Sequence, residues 1–199
     1  CRTKSNRMQN GMEKNETPES ENTTLSEEKP GESLVNQEGK DEHAGLSSRG
    51  QILLKEVSEI FGAEDVQVGS ILDEVLISVD PGKLLETCEI LKGNPVLQFD
   101  FLRCLSVVDY EDSFQVVYHL WSMEHRYKLV LKTNTEYEQP KVPSIVSIWP
   151  SADWFEREGR DLFGVDFEGH PGLKPLLLWE GFEGFPGRKS FPFHEYKEW

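Results

Sequence analysis

The residues with the means to do chemistry crowd into "WFEREGRDLFGVDFEGHPGLKP" at 154–175. There Glu156, Arg157, Glu158, Arg160, Asp161, His170 and Lys174 alternate with aromatic and aliphatic side chains. Three kinds of site could be built from that set: a carboxylate acid–base pair, a metal centre, or a charged surface by which one protein finds another. An acid–base pair needs both carboxylates within reach of one substrate. Two positions apart on a helix, Glu156 and Glu158 point about 160° apart. A convergence of Glu158, Asp161 and His170 in a hydrolase is the enzymatic rival, but no Ser or Cys stands on a recognisable nucleophile elbow. His170 has no His or Cys at the spacings of a zinc set, and His119 and His125, flanking an expected hairpin turn, are too few for one. Neither GxGxxG nor GxxxxGK[ST] occurs in the chain.

A helix must carry the first half of this stretch. Ser151 is placed to cap it, Asp153 suits its positive end, and Gly164 is a natural stop. Helical spacing puts Trp154, Phe155, Leu162 and Phe163 on one broad face and Glu156, Arg157, Arg160 and Asp161 on the other. Asp153–Arg157, Glu156–Arg160 and Arg157–Asp161 stand four apart, as paired surface charges do. Glu158 falls inside the apolar arc beside Gly159. It therefore needs a partner, because an unpaired buried carboxylate costs several kcal/mol.

The elements around that helix are legible from periodicity. Order begins near Leu46. Ile52, Leu53, Val57, Ile60 and Phe61 recur at helical spacing up to Gly62. Residues 73–80 alternate as a strand, Pro81-Gly82 turns the chain, and Leu84, Leu85, Cys88 and Leu91 make a second helical stripe with Cys88 as a small core residue. Strands are expected within 103–109 and over 113–121 and 126–133, joined by short polar links that suit antiparallel hairpins. Residues 143–150 form a short extended run between prolines. The order predicts a single α+β domain over 47–178, with helices packed on one face of a mostly antiparallel sheet.

Residues 1–46 are polar and nearly free of aromatics, a composition read as a disordered acidic tail. Residues 1–50 hold 7 Lys/Arg against 10 Asp/Glu and the rest 14 against 26, so the net charge of −15 belongs mainly to the folded part. Such a surface repels phosphate backbones and anionic lipid, which argues against nucleic acid or a membrane as direct partner. No run approaches the roughly 20 apolar residues of a membrane helix. Three cysteines without CxxC spacing suit a reducing compartment.

The last 21 residues, 179–199, hold 7 of the chain's 21 aromatics, broken by Gly and Pro too often for a helix or central strand. Phe182, Phe185, Arg188, Lys189, Phe191, Phe193 and Trp199 make this an extended arm of the composition that protein–protein hot spots use. Folding back onto its own domain is the other reading.

"EREGRDLFGVDFEGHPGLKPLL" (156–177) resembles the signature of the C-subunit family of NADH–quinone oxidoreductase, respiratory complex I. Glu156, Arg157, Glu158, Asp161, Leu162, Phe163, His170, Lys174, Leu176 and Leu177 meet its requirements. "VVDYEDSFQVVYHL", "KVPSIVSIWPSADW" and "GFPGRKSFP" look like the family's other blocks, in order. The departures are Pro175, where the family usually has a basic residue, Gly187 for Leu and Ser190 for Asp. The resemblance covers roughly 50–199. It implies a non-catalytic peripheral-arm subunit on the cytoplasmic face of the cell membrane, touching the membrane only through the complex. It also implies docking on the quinone-site D-subunit through the C-terminal arm. On that reading this chain binds no cofactor or metal itself, while NADH, FMN, iron–sulfur clusters and quinone belong to the complex. A related ferredoxin- or deazaflavin-dependent complex or a membrane-bound hydrogenase is the alternative. The stretch at 154–175 is then an address and not an active site.

Overall fold

The computed structural model describes residues 45–62 and 66–192, so the tail expected over 1–46 lies almost wholly outside the described residues, as do Phe193 and Trp199 of the arm. The described residues belong to one compact unit, Gly39–Trp199. α1 (Ser48–Ile60) opens on Ser47, whose Oγ accepts the Gly50 N–H at 3.3 Å, and buries Leu53 and Val57. It ends at Phe61 in extended conformation, before Gly62 is reached. Ile52 lies off the buried stripe and is exposed. α2 (Leu84–Gly93) follows a single 3-10 turn at Pro81–Lys83 and buries Leu84, Thr87, Cys88 and Leu91, with Leu85 turned outward.

The main sheet runs in the order β1-β2-β5-β4-β3, built from β1 (Gln67–Ile71), β2 (Glu74–Ser78), β3 (Phe101–Asp109), β4 (Ser113–Trp121) and β5 (Lys128–Glu136). β3–β4 and β4–β5 are the expected antiparallel hairpins, and β1–β2 is a third. β2 and β5 pair in parallel, Val75 opposite Leu129 and Ile77 opposite Leu131, so the sheet is mixed at one place. Period two then dictates the faces. Val75, Ile77, Leu129, Leu131, Tyr118 and Leu120 point into one core with Leu53 and Val57 of α1 and Leu84, Cys88 and Leu91 of α2. The run expected to be extended over 143–150 is strand only as β6 (Lys141–Pro143), which pairs in parallel with β7 (Asp166–Glu168). Ile145 to Ile148 form a turn, closed by the Ile148 and Trp149 amides on Ile145 O.

Candidate functional site

α3 (Ala152–Phe163) carries the first half of the signature. It stops where expected, at Gly164 in left-handed conformation (φ 77°), whose N–H bonds Arg160 O. Ser151 occupies the N-cap position, but its side chain makes no capping bond. The helix keeps part of the expected face, with Phe155 and Phe163 packed against the core, but turns Trp154 outward and Glu156 inward. Its buried residues are Ala152, Glu156, Gly159 and Asp161, while Trp154 is 63% exposed with the Arg157 guanidinium 5.5 Å from its ring centre. A Cβ on Gly159 would stand 3.0 Å from Val107 and 3.2 Å from the Phe167 ring, so the glycine sets how closely α3 approaches β3 and β7.

The assignment of Glu156 to the polar face and Glu158 to the apolar arc is therefore reversed. Glu158 is exposed, beside a hollow lined by Cys104, Val107, Phe155 and Gly159. Glu156 is wholly buried. Its carboxylate accepts from Ser144 Oγ at 2.6 Å and from the Ile145 amide at 2.8 Å, pinning the turn after β6 to the helix. Burial pushes its pKa up to about 7 despite those two donors, with Asp153 adding to the rise. Arg160 consequently pairs with Asp166 at 3.7 Å and not with Glu156.

The outer edge of α3 grips the chain that follows β7. Asp161 Oδ2 accepts three consecutive amides, from Leu176 (2.6 Å), Leu177 (2.8 Å) and Leu178 (3.3 Å). Burial works against ionisation here, but the three amides and the nearby Arg157 outweigh it and hold the carboxyl below the usual range. Arg157 donates through Nε to Lys174 O and through Nη2 to Pro175 O, both at 3.0 Å, and its Nη1 stands 3.8 Å from Asp153. The His170 side chain is fully buried. Its Nδ1 accepts the Gly172 N–H at 2.9 Å, which leaves the proton on Nε2, 3.2 Å from Asp153 Oδ1. That last approach is an electrostatic contact whose angle falls short of a hydrogen bond. Lys174 contributes its backbone carbonyl, and its side chain is exposed. Hydrogen bonds to charged groups are each worth about 1.5–3 kcal/mol, so this clamp fixes residues 170–178 without a strand or helix of their own.

A second set of contacts holds the arm further on. Gly187 N–H bonds Leu162 O at 2.8 Å, and a Cβ at Gly187 would stand 2.9 Å from that oxygen. The lack of a side chain at Gly187 is what permits the approach. Arg188 donates to Phe163 O at 2.7 Å, with its guanidinium within about 5 Å of the Phe114, Tyr137 and Phe185 ring centres. Phe163 meets Phe114 edge-on. Lys189 N–H bonds Asp109, its ammonium lies 3.3 Å from Glu111, and Ser190 Oγ shares a 2.9 Å hydrogen bond with Tyr137. Residues 185–190 thus lie on their own domain. Between the two anchorages Trp179 stays 70% exposed, in edge contact with Phe182, which stacks on Phe191.

Of the signature's carboxylates and histidine, Glu156, Asp161 and His170 are thus spent on holding the chain together. Glu158 faces the hollow beside β3, Asp161 the 176–178 amides, and His170 Gly172 and Asp153, so the hydrolase triad has no free functional groups except at Glu158. Among the described residues no cluster of three or more His, Cys, Asp or Glu could hold a metal. Burial, with Glu89 and Glu156 nearby, pushes the Cys88 thiol up, away from any nucleophilic thiolate. Ser144, Asp109, Phe114 and Tyr137 carry no signal in the sequence. They lie tens of residues from most of their partners, and only the dense aromatic and basic composition of the arm hints that a cage exists.

Residues 77–197 match the family model described as the 30 Kd subunit of respiratory-chain NADH dehydrogenase. The NADH-quinone oxidoreductase C-subunit 2 of Rhizobium meliloti (strain 1021) is 40% identical over 141 residues, which cover 69% of this chain and 77% of that protein. The corresponding C-subunit of Coxiella burnetii (strain RSA 493 / Nine Mile phase I) is 36% identical over 176 residues, with 71% and 78% covered. Among solved structures, a trypsin-resistant fragment of Nqo5 is 26% identical with a TM-score of 0.51, covering 62% of this chain and 98% of the fragment. A chain of the membrane-bound sulfane sulfur reductase, an archaeal respiratory membrane complex, is 25% identical with a TM-score of 0.60, covering 72% and 86%.

Proposed function

The chain belongs to the family of the 30 Kd subunit of respiratory-chain NADH dehydrogenase, and on that premise we propose that it is a non-catalytic peripheral-arm subunit of a proton-translocating NADH–quinone oxidoreductase. It docks on the quinone-site D-subunit and supplies shape and grip. NADH, FMN, iron–sulfur clusters and quinone are handled by its neighbours, and this chain binds none of them. No described helix is long and apolar enough to cross a membrane; attachment to the cytoplasmic face of the cell membrane runs through the complex.

The observation that carries this reading is the loop 179–184. It is anchored before by Asp161 and Arg157 and after by Leu162 O and the Arg188 cage, yet it displays Trp179 outward, backed by the half-buried Phe182. A rigid aromatic anchor in water is what a partner's pocket recognises, because ordering costs are already met. Trp179→Ala combined with Phe182→Ala is expected to abolish co-purification with the neighbouring subunits while leaving thermal unfolding of the chain within a few degrees of the parent. Stoichiometric recovery of the complex would overturn it.

The likeness to the sulfane sulfur reductase chain supports a second reading, an equivalent subunit of a related ferredoxin- or deazaflavin-dependent complex or a membrane-bound hydrogenase. Comparing NADH, reduced ferredoxin and hydrogen as donors to the purified complex decides between them.

A further inference from the structure

The helices pack on one face of the main sheet, and among the described residues nothing crosses the other. Its cross-strand rows run Leu76–Val130–His119–Cys104 and Ser78–Lys132–Val117–Ser106 from β2 through β5 and β4 to β3. Val117 and Val130 are 7% and 3% exposed yet stand apart from the core cluster, shielded only by their neighbours on this face. They floor a groove of about 540 Å³. Ile71, Leu72 and Tyr110 on its rim are exposed, Leu72 at 89%. An apolar face of this kind marks a contact surface.

The charges on the face are arranged to cancel. Glu74 holds Arg103 at 3.0 Å and His119 at 3.6 Å, and Asp73 holds Lys128 at 3.5 Å. Lys132, in the second row, has no ion-pair partner among the described residues. On a chain of net charge −15 this is a neutral surface with a cation left over. It suits an apolar ridge that carries one carboxylate.

Three occupants can be weighed. The segment before Gly45 joins the domain at the rim, where Gly45 packs on Leu72 and the Ser47 amide bonds Asp73. Its only aliphatic residues apart from methionine and alanine are Leu25, Leu34 and Val35, too few to offset the ordering of a chain. A second copy meeting this face about a two-fold axis would bring Lys132 toward its own image, like charge against like. A folded neighbour meets neither cost.

We infer that the helix-free face of the sheet is a second docking surface, occupied in the assembled complex by another subunit that presents an aliphatic ridge with a carboxylate for Lys132. The inference rests on the reading of the chain as part of such a complex. It makes this protein a bridge, held from the arm side by one neighbour and across the sheet by another.

Hydroxyl-radical footprinting of the isolated full chain and of the purified complex tests this. Leu72 and Tyr110 are expected to be labelled several-fold less in the complex than in the free chain. Lys132→Glu is expected to lower recovery of the complex without moving the melting temperature of the free chain, and Lys132→Arg to leave recovery at the parent's level. Equal labelling in both states would overturn the inference, and so would protection already present in the free chain or normal assembly of Lys132→Glu. Labelling of Trp179 and Phe182 reports the arm separately. If those two stay labelled, the docking proposed for the arm fails; if they are protected while Leu72 and Tyr110 are not, the second surface alone falls.

Discussion

Replacing Glu156 with glutamine tests the inverted reading of α3 most directly. The carboxyl is wholly buried, and burial raises it from the ordinary glutamate value of 4.5 to about 7. Below pH 4.5 the folded and unfolded chains both carry the proton and the group contributes nothing to pH dependence. Between 4.5 and 7 the unfolded chain has released the proton and the folded chain still holds it, so stability falls as pH rises, and the loss is complete above 7. At about 1.4 kcal/mol per pH unit between the two values, the loss comes to about 3 kcal/mol. A glutamine at this position would accept the Ile145 amide and meet the Ser144 hydroxyl without ever ionising. Urea unfolding of both full-length chains from about pH 4.5 to about pH 8 is therefore expected to show Glu156→Gln equal to or slightly below the parent at the acid end. At about pH 8 the variant should exceed the parent by about 3 kcal/mol. Charge repulsion elsewhere on this acidic chain affects both proteins alike and cancels in the difference. Parallel stability curves would refute the argument and place Glu156 in contact with solvent.

Asp161→Ala removes the acceptor of three amides and is expected to cost about 2–4 kcal/mol. Amide exchange at Leu176 to Leu178 should rise before any other segment, and because the Asp161 carboxyl is held low, its contribution in the parent is lost only as pH falls below the ordinary aspartate value of 3.8. Gly164→Ala puts a Cβ at φ 77° and 2.6 Å from the Phe185 ring, so a loss of about 2–3 kcal/mol is expected. Near-UV circular dichroism should report release of the arm. Arg188→Leu keeps bulk but breaks the bond to Phe163 O and the three ring contacts. A loss of about 2 kcal/mol by urea titration is expected, together with faster protease cleavage beyond Gly184.

Period two over 128–132 and helical spacing over 84–91 are enough to find β5 and α2, because those residues face one core. "QVGSI" at β1 is short, half-buried and interrupted by glycine, so it carries no such signal. The parallel registers of β2–β5 and β6–β7 join segments far apart in sequence, and local patterning says nothing about them. α3 misleads for a physical reason. Its fully buried positions toward the core include Ala152, Glu156 and Gly159, suited by small size or internal hydrogen bonding and flanked by the partly buried Phe155 and Phe163, while its largest hydrophobe, Trp154, sits outside under a guanidinium. Counting apolar side chains on a wheel finds Phe155 and Phe163 on the core side but misplaces Trp154 and Glu156. At the clamp, the pairing of Asp153 with Arg157 is legible at four residues' spacing, whereas the carboxylate of Asp161 reaching 176–178 is not.

The parallel seam between β2 and β5 has a bearing on how the polypeptide emerges during translation. β3, β4 and β5 are consecutive hairpins that can assemble as each leaves the ribosome, whereas the first hairpin has no place to lodge until Lys128–Glu136 has been made. Until then Val75 and Ile77, destined for the interior, wait in the open. The early half of the nascent chain is thus the stretch a chaperone would hold, and a pause in synthesis before β5 would prolong that vulnerability.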